Sequence, residues 1–120
     1  MNKREEGNRY EEIAARFLEK HGVKITDRNF RCRFGEIDII GIKDDVLIFF
    51  EVKYRSGTGK GCAKEAVTHN KQRIICLVSD HYRAYKRQFA ALQVRYDVIA
   101  IDKEKIEWIP AAFDYIGRGF

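Results

Sequence analysis

The chain has 120 residues, of which 45% are hydrophobic and 34% charged, with a single proline. Disorder is excluded by that composition, and a chain of this length buries roughly two-thirds of its unfolded surface, enough for a core without disulfide or metal staples. The net charge of +5 and pI near 9.2 suit a polyanionic partner as well as plain solvation, so the distribution of the charge has to decide.

In chain order, the first predicted element is a helix from about Glu5 to His21. Tyr10, Ile13, Ala14, Phe17 and Leu18 recur at helical spacing, and Gly22 is its expected carboxyl-terminal cap. Three strands follow, near Val23 to Phe34, Glu36 to Ile42 and Val46 to Tyr54, as an antiparallel meander with Gly35 marking a bend. A second helix is predicted from about Cys62 to Tyr85, with Ala63, Ala66, Val67, Ile74, Leu77, Val78, Tyr82 and Tyr85 as its buried stripe. Strands near Arg95 to Ile101 and Lys105 to Ile109, turning at Asp102-Lys103, complete the order αβββαββ. An α/β fold is expected, with a mixed sheet flanked by helices.

The meander carries the chemistry. Glu36 and Asp38 alternate with Ile37 and Ile39, and Glu51 and Lys53 stand in phase with Leu47 and Phe49, so each strand sends its charges to one face. A two-residue turn at Asp44-Asp45, or a four-residue loop from Lys43 to Val46, sets Asp38 opposite Glu51 and Glu36 opposite Lys53. Opposed carboxylates with Cβ atoms ~5 Å apart repel by roughly 3 kcal/mol at an effective dielectric of ~20. An E-x-K triplet is ordinarily a surface ion pair. Here the flanking Val46 to Phe50 are apolar on both faces, and charges in a covered strand must be paired or hold a cation. Hard carboxylate oxygens suit Mg²⁺ or Mn²⁺. Register decides the matter, since a loop of odd length would put Asp38 and Glu51 on opposite faces.

Glu11 lies one helical turn after Gly7, beside Ala14 and Ala15, and either only complements the helix dipole, as acids so near a helix start ordinarily do, or points along the helix seam toward the Asp38 cluster. Lys71 emerges from the stripe of the second helix, either to snorkel or to reach a phosphate or the acidic cluster. Arg28, Arg31 and Arg33 interleave with Phe30 and Phe34, and Arg55, Lys60 and Lys64 follow the E-x-K strand across a glycine-rich loop. Such cations bind phosphate backbones without reading bases. Gly57-Thr58-Gly59-Lys60 lacks the first glycine and the final Ser or Thr of a P-loop, which argues against an NTPase. Cys32, Cys62 and Cys76 form no C-x-x-C, and His21, His69 and His81 lack zinc spacing. The amino terminus has no apolar h-region and no apolar run is long enough for a membrane span, so a cytoplasmic protein without a membrane partner is expected.

These residues resemble a family. A helix glutamate followed by D-x₁₂-E-x-K on a hairpin resembles the PD-(D/E)XK nuclease superfamily. More closely, Gly7 with Glu11 and Ala14, Arg28-Asn29, Gly35-Glu36-Ile37-Asp38, Phe50-Glu51-Val52-Lys53 with Arg55, Gly61 with Glu65-Ala66-Val67, Lys71-Gln72 and Tyr96-Asp97-Val98 are similar to the YraN-type endonuclease family. The resemblance covers nearly the whole chain as one domain, and extends to Holliday-junction resolvases in its core. It implies a restriction-endonuclease-like αβββαβ core, Asp38, Glu51 and Glu11 as metal-site carboxylates, and Lys53 as the catalytic lysine. The implied reaction is Mg²⁺- or Mn²⁺-assisted hydrolysis of phosphodiesters in branched or otherwise structured DNA. Whether two chains pair as a homodimer to cut two strands is left open. The alternatives are a nucleic-acid-binding module that keeps the site without catalysis, and a protein-interaction domain whose basic face meets an acidic partner. Two positions depart from the pattern: Tyr10, where the family commonly has a small residue, and Ala63, where it often has proline.

Overall fold

The computed structural model describes residues 3–55, 67–103 and 105–117. Helix α1 (Lys3–Lys20) leads into strands β1 (Lys24–Cys32), β2 (Gly35–Lys43) and β3 (Val46–Arg55), followed by helix α2 (His69–Tyr85), β4 (Gln93–Asp102) and β5 (Lys105–Phe113). The expected order of elements is observed. All the strands join one sheet in the order β1-β2-β3-β4-β5, antiparallel except where β3 and β4 run parallel. A parallel neighbour requires a crossover, and the segment containing α2 makes it.

Each helix covers one face of the sheet. Ala14, Ala15 and Leu18 of α1 pack with Ile39, Ile48, Phe50, Ile99 and Ile101, whereas Ile75, Cys76, Val78 and Tyr82 of α2 pack with Ile40, Leu47, Phe49 and Val98. The end of α1 is set by Gly22 at φ 89°: its N–H bonds the Glu19 carbonyl (3.2 Å) and that of Val23 bonds Leu18 (3.0 Å). These are the paired bonds of a Schellman cap, and Leu18 and Val23 are buried together beneath it.

Helix α2 departs from its expected form in two ways. Val67 and Thr68 precede the helix, and the Thr68 hydroxyl caps it by accepting from Lys71 N–H (3.1 Å); Cys62 to Ala66 lie outside the described residues. The buried face is Ile75, Cys76, Val78, Ser79 and Tyr82, while Leu77 is only half-buried and Tyr85 is 68% exposed. Ser79 carries no apolar signal, yet it lies in the interior because its hydroxyl meets Tyr96 Oη at 2.7 Å and donates to the Cys76 carbonyl. That rotates the packed face away from Leu77 and Tyr85. β1 ends at Cys32, with Arg33 and Phe34 forming the turn that brings Gly35 against α2. A Cβ on Gly35 would lie 2.7 Å from Ile74 Cγ2, so only glycine lets the start of β2 approach α2 this closely.

Candidate functional site

The β2–β3 hairpin has the anticipated register. Asp44 (φ 53°) and Asp45 (φ 63°) make a two-residue turn, and the ladder runs from Lys43↔Val46 through Ile42↔Leu47, Gly41↔Ile48 and Ile40↔Phe49 to Ile39↔Phe50. There the backbone pairing stops, and the next step, Asp38 with Glu51, is made by side chains. Asp38 Oδ2 accepts the Val52 N–H at 2.9 Å, so a carboxylate takes a donor that a ladder carbonyl would ordinarily use.

The cause is a change of face. Residues two apart on a regular strand share a face, yet Ile37 packs with the α2 cluster and Ile39 with the α1 cluster. On β1, Asn29 has φ 53°; Arg28 and Asn29 both reach α1, at Glu12 and Glu11, while Phe30 packs on the α2 side. Both strands therefore switch faces where Asn29 and Asp38 lie level, and β2 parts from β3 at that point.

Glu51 and Asp38 meet in this fork. Glu51 is 6% exposed, and its Oε2 lies 3.4 Å from Lys53 Nζ and 3.9 Å from Lys71 Nζ. Burial, and after it the charge of Glu51, pushes the Asp38 carboxyl from an ordinary value of 3.8 up to about 8, against the opposing pull of the Val52 N–H. Glu11 adds a smaller push in the same direction. Two neighbouring carboxylates, with hard oxygens and no Cys or His beside them, are a donor pair suited to Mg²⁺ or Mn²⁺. Among the described residues no three His, Cys, Asp or Glu side chains converge as a metal-ligand group. Glu11 stands off from the pair, its Oε1 held by Asn29 Nδ2 at 2.6 Å.

Lys71 takes the second of its anticipated roles and reaches the cluster. The Thr68 cap and a bond from Gln72 Nε2 to the Val67 carbonyl (3.0 Å) place the first turn of α2 over the fork. Glu36 does not share the site as expected: its carboxylate is taken by Arg31 at 2.6 Å, since β2 has changed face between Glu36 and the hairpin.

The candidate backbone-binding cations divide. Arg28 is paired with Glu12 (2.7 Å) and Arg31 with Glu36, whereas the Arg33 guanidinium lies over the Phe34 ring, 4.8 Å from its centroid. Arg55 ends β3; its side chain, Lys60 and Lys64 lie outside the described residues, as does Ala63. Tyr10 does not hold α1 away from the sheet, because its ring stacks on Tyr54 at 3.9 Å while Ala14 and Ala15 make the close contact below.

One polar cluster escaped the sequence reading except as part of a resemblance. Asp97, completely buried, accepts two bonds from the Arg95 guanidinium (2.9 Å each), one from Trp108 Nε1 (2.8 Å) and one from the Ala111 N–H (2.9 Å). Its signal was an aspartate inside the otherwise apolar stretch Tyr96 to Ile101, where a charge requires partners.

Comparison with known proteins places this geometry in a family. The chain is 43% identical over 117 residues to a UPF0102 protein of Lachnoclostridium phytofermentans, covering 98% of this chain and 99% of that one. A UPF0102 protein of Syntrophotalea carbinolica is 44% identical over 111 residues, covering 89% of each, and one of Aeromonas hydrophila is 41% identical over 108 residues, covering 89% and 83%. No helix among the described residues is long and apolar enough to cross a membrane. Residues 10–101 match the model of the family described as "Uncharacterised protein family UPF0102", and the chain belongs to that family.

Proposed function

We propose that the chain is a metal-dependent endonuclease that hydrolyses phosphodiesters of structured or branched DNA. One observation carries this reading: Asp38 and Glu51 meet at a strand fork with Lys53 and Lys71 at 3.4 and 3.9 Å from Glu51. The resemblance of the D-x₁₂-E-x-K hairpin to PD-(D/E)XK nucleases supports it, and the element order is compatible with that fold. Asp38 and Glu51 would hold Mg²⁺ or Mn²⁺, which supplies Lewis-acid stabilisation of the phosphoryl oxygens and favours deprotonation of the attacking water. The Asp38–Val52 bond holds one carboxylate of that pair in place. Lys53, fixed beside Glu51 and one-third exposed, is placed to stabilise charge developing on the scissile phosphate. Lys71, similarly exposed, offers a second ammonium to the same phosphate or its neighbour. Glu11 acts through the field it exerts on Asp38.

The rival reading, a DNA-binding module that keeps the site without catalysis, draws on the engagement of Glu11 by Asn29, which leaves a pair of acids where a trio is expected. A cleavage screen over branched, flapped, linear and single-stranded DNA with Mg²⁺ or Mn²⁺ separates the two. The expected result is cutting by the parent and none by Asp38→Asn or Lys53→Met. Lys53→Met should still bind DNA nearly as well, because one phosphate contact among several changes affinity modestly. No cutting above the Asp38→Asn control on any of these substrates rejects the nuclease reading.

A further inference from the structure

Arg16, Arg28, Arg31 and Arg95 each lie within 3.2 Å of a carboxylate. Arg33, whose guanidinium covers one face of the Phe34 ring, and Arg73 have no carboxylate partner among the described residues. They line one cavity of about 370 Å³ together with Phe34, Leu77, Ile116 and Gly117, and no acid joins that lining. Two exposed arginines thus share the lining of one recess with three apolar side chains.

Strand β2 and helix α2 each run from the recess to the candidate site. The inner edge of the recess is the turn that Gly35 presses against Ile74, the neighbour of Arg73 on α2. Gly35 begins β2, and Asp38 follows three residues later, or about 10 Å along a strand. Lys71, which reaches Glu51, stands two residues from Arg73 on the same helix.

We propose that this cavity holds one nucleotide of an unpaired DNA strand, with Arg33 and Arg73 on its flanking phosphates and its base against Phe34, Leu77 and Ile116. The proposal rests on the nuclease reading for the identity of the polymer. Charge argues for phosphate, which guanidinium forks bind in bidentate fashion. Size argues for a single nucleotide, since the volume lies near the lower end of small-ligand sites, about 300–1,000 Å³. The apolar wall argues for an unpaired strand, because a base in a duplex is stacked and cannot enter a recess, whereas a splayed base stacks on aromatic side chains. Structured DNA would therefore be engaged with the single-stranded arm beside α2, at a flap or an opened branch.

The test is binding of a fluorescent oligothymidylate, an abasic strand of equal length and a duplex to the full chain in chelator, where nothing is cut. In the Arg33→Gln/Arg73→Gln variant the log-log salt slope for the single strand should fall by about 1.4, for two phosphate contacts at about 0.7 each, with the duplex unaffected. Phe34→Ala should weaken oligothymidylate at least about fivefold and leave the abasic strand unchanged. Equal weakening of both strands by Phe34→Ala, or equal slope changes on duplex and single strand in the double variant, overturns the nucleotide pocket. If the parent cuts DNA and the double variant keeps the parental slope, the pocket fails and the nuclease reading stands. If the parent cuts nothing yet shows base-dependent strand binding through Arg33 and Arg73, the nuclease reading fails and the pocket stands.

Discussion

Two buried acidic centres lie on neighbouring strands and are built in opposite ways. Asp97 on β4 is paired in register with Phe50 on β3, the residue before Glu51. Four donors saturate its two oxygens, and one of them is the N–H of Ala111, a non-glycine residue held at φ 50° where β5 bulges after Pro110. This carboxylate locks an edge strand onto the sheet and has no acceptor capacity left for a ligand. At the fork, Asp38 takes one backbone N–H and Glu51 faces two ammoniums at 3.4 and 3.9 Å, longer than a charge-assisted hydrogen bond. Burial alone therefore does not distinguish the two centres. The distinction lies in acceptor capacity, which the fork leaves unused and the Asp97 knot does not.

The comparison breaks most readily at Asp97. Replacing it with Ala should cost about 3–5 kcal/mol in urea unfolding, the usual result of removing one partner of a buried ion pair, equally with chelator or Mn²⁺. A loss below about 1 kcal/mol would show that the knot does not hold β5.

Metal should move the other centre. With Mn²⁺ at a hundredfold excess over Kd the parent should gain about 2.7 kcal/mol, while Asp38→Asn gains little and in chelator is at least as stable as the parent. A parent whose thermal midpoint ignores metal would mean that the fork is as self-sufficient as Asp97.

The effect of pH has a definite sign. Asp38 is raised to about 8 in the folded chain and titrates near its ordinary value when unfolded, so between those values the folded state binds more protons. Its contribution is therefore a loss of stability as pH rises from about 4 to 8 in chelator. Asp38→Asn should remove that component, and unfolding curves for both proteins across this range test it. The smallest expected effect belongs to an exposed pair: Arg31→Ala, which frees Glu36, should leave the unfolding midpoint unchanged within error.

Much of this contrast was legible in one dimension. Alternation in β2 and β3 and the Asp44-Asp45 turn gave a register observed over every backbone pair of the hairpin. The switch of faces at Asp38 was not legible, because it requires Asn29 on the neighbouring strand to adopt φ 53° at the same level. Hence Glu36, in phase with Asp38 by counting, falls to Arg31 instead. The packed face of α2 departs from its apolar pattern because Ser79 is interior only by virtue of Tyr96, a partner 17 residues away.

What the sequence by itself determined is what arises locally: the order of elements, the apolar stripe and glycine cap of α1, the hairpin register, and an E-x-K strand with an aspartate across from it. These follow from periods of 3.6 and 2 and from turn chemistry, which act between near neighbours. The tertiary structure alone decided that β2 and β3 part at Asp38, that Lys71 joins Glu51 while Glu11 is held by Asn29, and that Arg33 and Arg73 share a recess. Each of these depends on how closely α1 and α2 approach the sheet. That approach is set by packing between distant residues, Gly35 against Ile74 and Ala14 against the opposite face, which no local pattern encodes.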